Sequence, residues 1–356
     1  MTFAIPPPSA EAQLTFLSKL QRLFAEGDFT ATYKYALLIS LADLAVELGA
    51  DDGNDLLLST RQIGDRFIQL YWRQAVPYGA GHSGASPGIL AQNNGTQAAV
   101  VSAVAAFRAR IQVSSPQVAR ALPEFQALLA TVAQTVSAQP LTYMQNFGGA
   151  TDEFLFDRPG AGLVRLKSGV AYCLRRFQPL VQQLARSHWV GHLKGNRRNQ
   201  VILGAADDLE EFLFATPRQS LALLASGLKR LEGVKCFYCE HVLNIVDVDH
   251  FIPFALYPRD IAHNFVLAHP GCNRSKSDSL AAKPHLERWL DRTRRLSDDI
   301  AEIGASAGMV VDAAVSQQIA GWGYSSAVHS GGRAWLAAGR YDLVDKSYVD
   351  CFGSSG

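Results

Sequence analysis

Two short knuckles, Cys236-Phe-Tyr-Cys239 and His269-Pro-Gly-Cys272, set the tightest constraint on how this chain folds. Two residues between ligands let a turn aim both side chains at one point. Four nitrogen and sulfur donors then close a tetrahedral shell around zinc, leaving no position for substrate. A lone C-x2-C pair carries little weight. Two matched knuckles about 30 residues apart draw the ends of the intervening segment together, and predict a structural zinc held by Cys236, Cys239, His269 and Cys272. His241 is a competing donor, but it sits too close to Cys239 to suit the second knuckle. Buried thiols without metal are the alternative.

The remaining cysteines, Cys173 and Cys351, read as ordinary thiols. They bring the total to an odd five, whereas a secreted disulfide framework is denser and usually even-numbered. Reduced thiols with a metal role point to the cytoplasm. The start, MTFAIPPPSA, lacks the basic and apolar regions of a secretory signal. No run of 18 apolar residues occurs, so no membrane partner is expected. The net charge of +1 does not by itself announce nucleic acid.

The first ~150 residues read mainly as helices. Leu14, Leu17, Leu20 and Phe24 recur at helical spacing, as do Tyr33, Leu37, Leu41, Leu44 and Leu48, with Gly49 and the polar turn Asp51–Asp55 closing the second pattern. Ser59 and Gln62 form a capping-box pattern opening a helix from Arg61 to Trp72. Two helices around a turn could be a helix-turn-helix reader, but plain packing is favoured because the turn is long. Gly79 to Pro87 reads as a loop, Gln97 to Ala109 as a helix, and Gly-rich Asn146 to Gly162 as a domain boundary.

From Arg158 to Gln200 the chain carries nine Lys or Arg and no Asp or Glu. Lys194, Arg197 and Arg198, with His188, Trp189 and His192 interleaved, are candidates for a phosphate backbone. The competing reading is a solvated face answered by acids elsewhere, such as Asp207, Asp208, Glu210 and Glu211.

Within the knuckles, Asn244 to His250 alternates with the period of a strand, and Asn264 to His269 gives a second short strand. Asn273 to Asp278 suits a helix. Adjacent Asp249 and His250 point to opposite faces of an ideal strand, so they reach a common site only where it ends and bends, near Pro253.

Asp247-Val-Asp-His250-Phe-Ile-Pro253 and the middle Asn264 lie between the knuckles, and Asn273-Arg-Ser-Lys-Ser-Asp278 follows the second one directly. This segment resembles the HNH, or ββα-metal, endonucleases. It is especially similar to the HNH domain of CRISPR RNA-guided DNA-cleaving effectors, over about 45 of the 356 residues. The resemblance implies His250 as general base, Asp249 and Asn273 as ligands of a catalytic Mg²⁺ or Mn²⁺, and Asn264 as the residue fixing the loop that orients His250. It gives Lys276 and Arg274 as phosphate contacts, a weaker implication. Asn273 stands where the family often has His, and its carbonyl oxygen favours a hard ion. Asp247 reads as a supporting carboxylate or an outward-facing strand residue, and His263 and His285 as packing or surface residues.

The expected fold is mainly α, with helical N-terminal and middle regions and an embedded zinc-stabilised ββα-metal module. Four segments are expected: a helical domain over 1–155, a basic helical segment packing on the nuclease over 156–230, the nuclease over 231–298 and a helical tail over 299–356. Beyond it, Pro284 opens a helix with Leu286, Trp289 and Leu290 on one face, and Arg288, Arg292, Arg294 and Arg295 extending a basic surface. The expected activity is hydrolysis of DNA phosphodiesters, with RNA as a possible substrate, in a setting of bacterial restriction or anti-phage defence. The alternatives are a zinc-stabilised nucleic-acid-binding module without turnover, or an effector controlled by a partner or signal sensed by the N-terminal region. A homodimer would allow paired cuts.

Overall fold

The computed structural model describes residues 5–78, 87–113, 115–204 and 208–353. Residues 79–86 of the expected Gly-rich loop, Asp207, and the extreme ends lie outside them. The chain is mainly α with a few small sheets. It divides between residues 215 and 216 into two compact units.

The first unit is organised around one helix. α2 (Tyr33–Leu48) is buried at every position but Leu48, because its sequence is apolar almost all the way round. α1 (Ala10–Glu26) buries Phe16, Leu20 and Leu23 and leaves Leu14 64% exposed. The inward stripe is therefore rotated relative to the one expected from the leucines alone. Ser59 and Gln62 do form a capping box at the start of α3 (Thr60–Trp72). Between α2 and α3, β1 (Leu56–Ser59) pairs antiparallel with β5 (Leu163–Leu166), which also pairs with β4 (Phe156–Asp157). A strand thus interrupts the candidate helix-turn-helix, and its first helix is buried except at Leu48, which fits plain packing of the pair.

The Gly-rich stretch at 146–162 is not where the units part. Gly148 and Gly149 take φ of +61° and +77° in the turn joining β2 (Asn146–Phe147) to β3 (Ala150–Thr151). The glycines serve a tight hairpin, not a linker. Residues 156–214 likewise belong to the first unit.

Much of the basic stretch is spent inside the fold. Arg165 pairs with Asp157, and Arg175 is buried against Asp51 while donating to the carbonyls of Ala45 and Val46. Arg158 bonds Ser137, and Lys167 bonds the Glu153 carbonyl. A charge count over a window misses acids and carbonyls supplied from distant sequence. Arg176, Lys194, Arg197 and Arg198 remain exposed, Arg198 donating to the Gly95 carbonyl.

In the second unit, β6 (Asp247–His250) and β7 (Phe265–Ala268) form an antiparallel hairpin with Asp249 opposite Val266 and His250 opposite Phe265. The helix Pro270–Lys276, with proline in its first turn, follows directly and completes a ββα unit. The helix Lys283–Arg295 seals one side, burying Leu286, Trp289 and Leu290 as its pattern predicts. Trp289 stacks on Phe251 at 4.8 Å and donates to the His263 carbonyl. The expected basic face of this helix is formed only in part, with Arg294 and Arg295 exposed. Arg292 is buried on Glu232, Arg288 pairs with Glu240, and Arg295 pairs with Asp291.

The C-terminal hairpin, β8 (Arg333–Ala337) and β9 (Arg340–Leu343), is integral to this unit: Trp335 exchanges backbone hydrogen bonds with Leu280 and Ala282. Among the described residues, no helix is long and apolar enough to cross a membrane.

Candidate nuclease site and metal centre

The two knuckles converge. One ligand atom from each of Cys236, Cys239, His269 and Cys272 lies within 4.8 Å of all the others. The first knuckle closes as a turn in which the Glu240 N–H donates to the Cys236 carbonyl, and Glu240 takes φ of +64°. His269 Nδ1 lies 3.2 Å from Cys239 Sγ, while Nε2 faces the Val242 carbonyl at 3.1 Å. An Nε2–H donated there leaves the Nδ1 lone pair aimed into the cluster, the usual way a ligating imidazole is fixed.

The thiols respond to one another. Burial opposes ionisation of Cys236, but backbone N–H groups of Cys239, His269 and Tyr238 outweigh it and bring the thiol down to about 7. Cys272 is pushed up to about 12 by burial and then by the Cys236 and Cys239 sulfurs. One thiolate forms readily and further ones repel it, so the donor set fits a soft divalent cation that neutralises several sulfurs at once.

A second group of polar side chains lies beside it. Asp247 and Asp249, two apart on β6, share a strand face. The helix Pro270–Lys276 presents Asn273 and Lys276 to them. Asn273 Nδ2 donates to Asp247 Oδ2 at 3.2 Å, and Lys276 Nζ lies 3.2 Å from Asp249 Oδ2. Tyr238, from inside the first knuckle, donates its hydroxyl to the same Asp249 Oδ2 at 2.5 Å. Both donors grip the Oδ2 oxygen of Asp249, while Asn273 is held by the neighbouring Asp247 on the same strand face. Carboxylate and amide oxygens of this kind suit a hard divalent cation.

Lys276 is placed otherwise than expected. It is 1% exposed, and its ammonium also donates to the His250 carbonyl at 2.8 Å, so it holds the site together and is not presented to a phosphate. Burial lowers its pKa, against the opposing pull of Asp249. Arg274 is exposed.

His250 ends β6. Its ring packs against Phe265 at 4.4 Å and Phe254 at 5.3 Å, and its Nε2 lies 2.6 Å from Asp260 Oδ1. The backbone after it is stapled by Asn264, whose amide accepts from the Ile252 N–H at 2.7 Å and donates to the Ile252 carbonyl at 2.9 Å. The Phe251 N–H adds a bond to the Asn264 carbonyl. Asn273 thus reaches Asp247 and Lys276 reaches Asp249 on one strand face, and Lys276 also ties in His250 through its carbonyl.

Residues 236–282 match the family model described as HNH endonuclease. An HNH domain lies there. No curated protein and no solved structure matches the chain. Within the HNH domain, reading the sequence missed two contributors, Tyr238 and Asp260. Asp260 had one available signal: it is the only acidic residue between His250 and Asn264. Trp335, which lies outside the domain, was also missed; it donates to Ser275 and packs on Tyr238 at 5.2 Å.

Proposed function

We propose that the HNH domain cuts phosphodiester bonds in DNA with one Mg²⁺ or Mn²⁺ ion, using His250 as general base. The observation that carries this reading is the grouping of Asp249, Asn273 and Lys276 at the end of the strand that bears His250, inside the matched segment. Asp249 Oδ1 and the Asn273 amide oxygen would hold the ion. When bound, it stabilises charge on the scissile phosphate and the leaving 3′ oxygen.

The chain supplies the rest. The His250 nitrogen not engaged by Asp260 takes a proton from a water. The hydroxide attacks phosphorus, and the bond to the 3′ oxygen breaks. Asn264 keeps the peptide after His250 from drifting, and exposed Arg274 is placed for a neighbouring phosphate. Each site makes one cut, so a double-strand break requires two chains or two successive nicks. By family analogy the setting is bacterial defence.

Supercoiled plasmid with Mg²⁺ tests the reading. Wild-type protein nicks it, and His250→Ala loses about 10²- to 10⁴-fold in rate, the usual worth of a positioned base. Equal nicking by the two proteins overturns the assignment, and a parallel RNA substrate reports the preferred nucleic acid.

A further inference from the structure

We infer that Asp260 is the positioning residue of His250: it holds the imidazole in one tautomer and orientation, with Nδ1 as the bare nitrogen. This deepens the nuclease reading and rests on it for its catalytic meaning.

The geometry is direct. Asp260 Oδ1 lies 2.6 Å from His250 Nε2. At that distance a carboxylate oxygen requires a proton on the facing nitrogen. With Nε2–H committed, the lone pair of the neutral ring is on Nδ1.

The ring is not held by sequence-local structure. Asp260 sits ten positions downstream, on the loop just before Asn264, and Ile261 beside it bridges to Val310. That bridge, together with the Asn264 staple, fixes the carboxylate relative to the strand end. Phe254 and Phe265 limit how the ring can turn. The carboxylate supplies what these rings cannot, a choice between two nitrogens that are otherwise near-equivalent.

A second consequence concerns charge. When Nδ1 takes a proton the ring becomes cationic, and Asp260 is already in contact with it. Asp260 side-chain exposure is 12%, so water screens that contact little. The same oriented carboxylate–imidazole logic operates wherever a histidine base is held by an acid on its far nitrogen.

Two measurements test the assignment. In ¹⁵N-histidine-labelled full-length protein, with His250 assigned by its loss in His250→Gln, the wild type shows an Nε2–H tautomer. Asp260→Ala shows a mixture, and Asp260→Glu restores the single form at least in part. An unchanged tautomer in Asp260→Ala overturns the inference whether or not the protein cuts DNA. In the plasmid assay, Asp260→Ala lowers kcat about 10- to 100-fold, as the loss of an orienting partner does elsewhere, with KM changed less than about threefold. Asp260→Glu recovers part of it.

The decisive comparison is made in His250→Ala with no imidazole added. If Asp260 acts only through the His250 ring, Asp260→Ala costs nothing further in the residual activity once that ring is gone. A full additional loss there means a merely structural role. Absence of nicking by folded, zinc-loaded wild type removes the nuclease reading, and the tautomer measurement alone then decides.

Discussion

The two units bury polar groups to different ends. In the first unit, Arg66 closes on Glu47, Arg175 on Asp51 and two helix carbonyls, and Thr32 on Tyr71 and Gln92. These networks lie under a large core around α2 and knit helices to one another. In the second unit Arg292 closes on Glu232 in the same way, but around Asp249 two buried donors converge on a single carboxylate oxygen. One of them, Lys276, is buried with no apolar purpose. A closed network reads as architecture; a network converging on one acceptor reads as a site. The units also differ in what holds them. One relies on apolar burial, the other adds four converging ligands.

Removing the metal is the strongest way to break that comparison. One tightly held zinc per chain is expected by elemental analysis, lost in Cys236→Ser or Cys272→Ser. Structural zinc contributes on the order of 10 kcal/mol to small domains, so chelation should abolish the second unit's calorimetric transition and leave the first unit's in place. Simultaneous loss of both would show that the contrast is false.

A smaller effect probes the other side. Arg175→Met leaves the Ala45 and Val46 carbonyls without their donor, and about 1–3 kcal/mol of stability should go from the first unit. Zinc content should not change, as the same protein can report.

The smallest effect is one of pH. Burial holds the pKa values of His263 and His285 below 6.5, and does the same for His192 in the first unit. The unfolded chain therefore takes up these protons first. The stability from the neutral rings is complete above pH 6.5 and declines as pH falls below it, levelling off under the folded values. Two such rings against one should make the second unit the more acid-sensitive. His285→Gln, compared with wild type by denaturant titration at pH 7.5 and 5.8, should remove part of the slope.

The site was legible where its chemistry is local. The knuckles, the strand ending at His250 and the amide of Asn264 announce themselves by spacing, since turns and hairpins place near neighbours in sequence close in space. Contacts that depend on packing were not legible. Lys276 looks like a phosphate ligand in an exposed basic run, yet helical phase turns it inward onto Asp249. Arg175 looks like part of a nucleic-acid stripe, but its acid lies over a hundred residues upstream. Leu14 shares the spacing of its neighbours and still faces water, because Phe16 sets the inward stripe of α1.

Tyr238 stands between two zinc ligands in the chain and reaches Asp249 with its hydroxyl. The cysteine cluster and the proposed catalytic aspartate therefore share one piece of backbone: oxidation, acid or a chelator that loosened the sulfurs would also slacken the hold on Asp249.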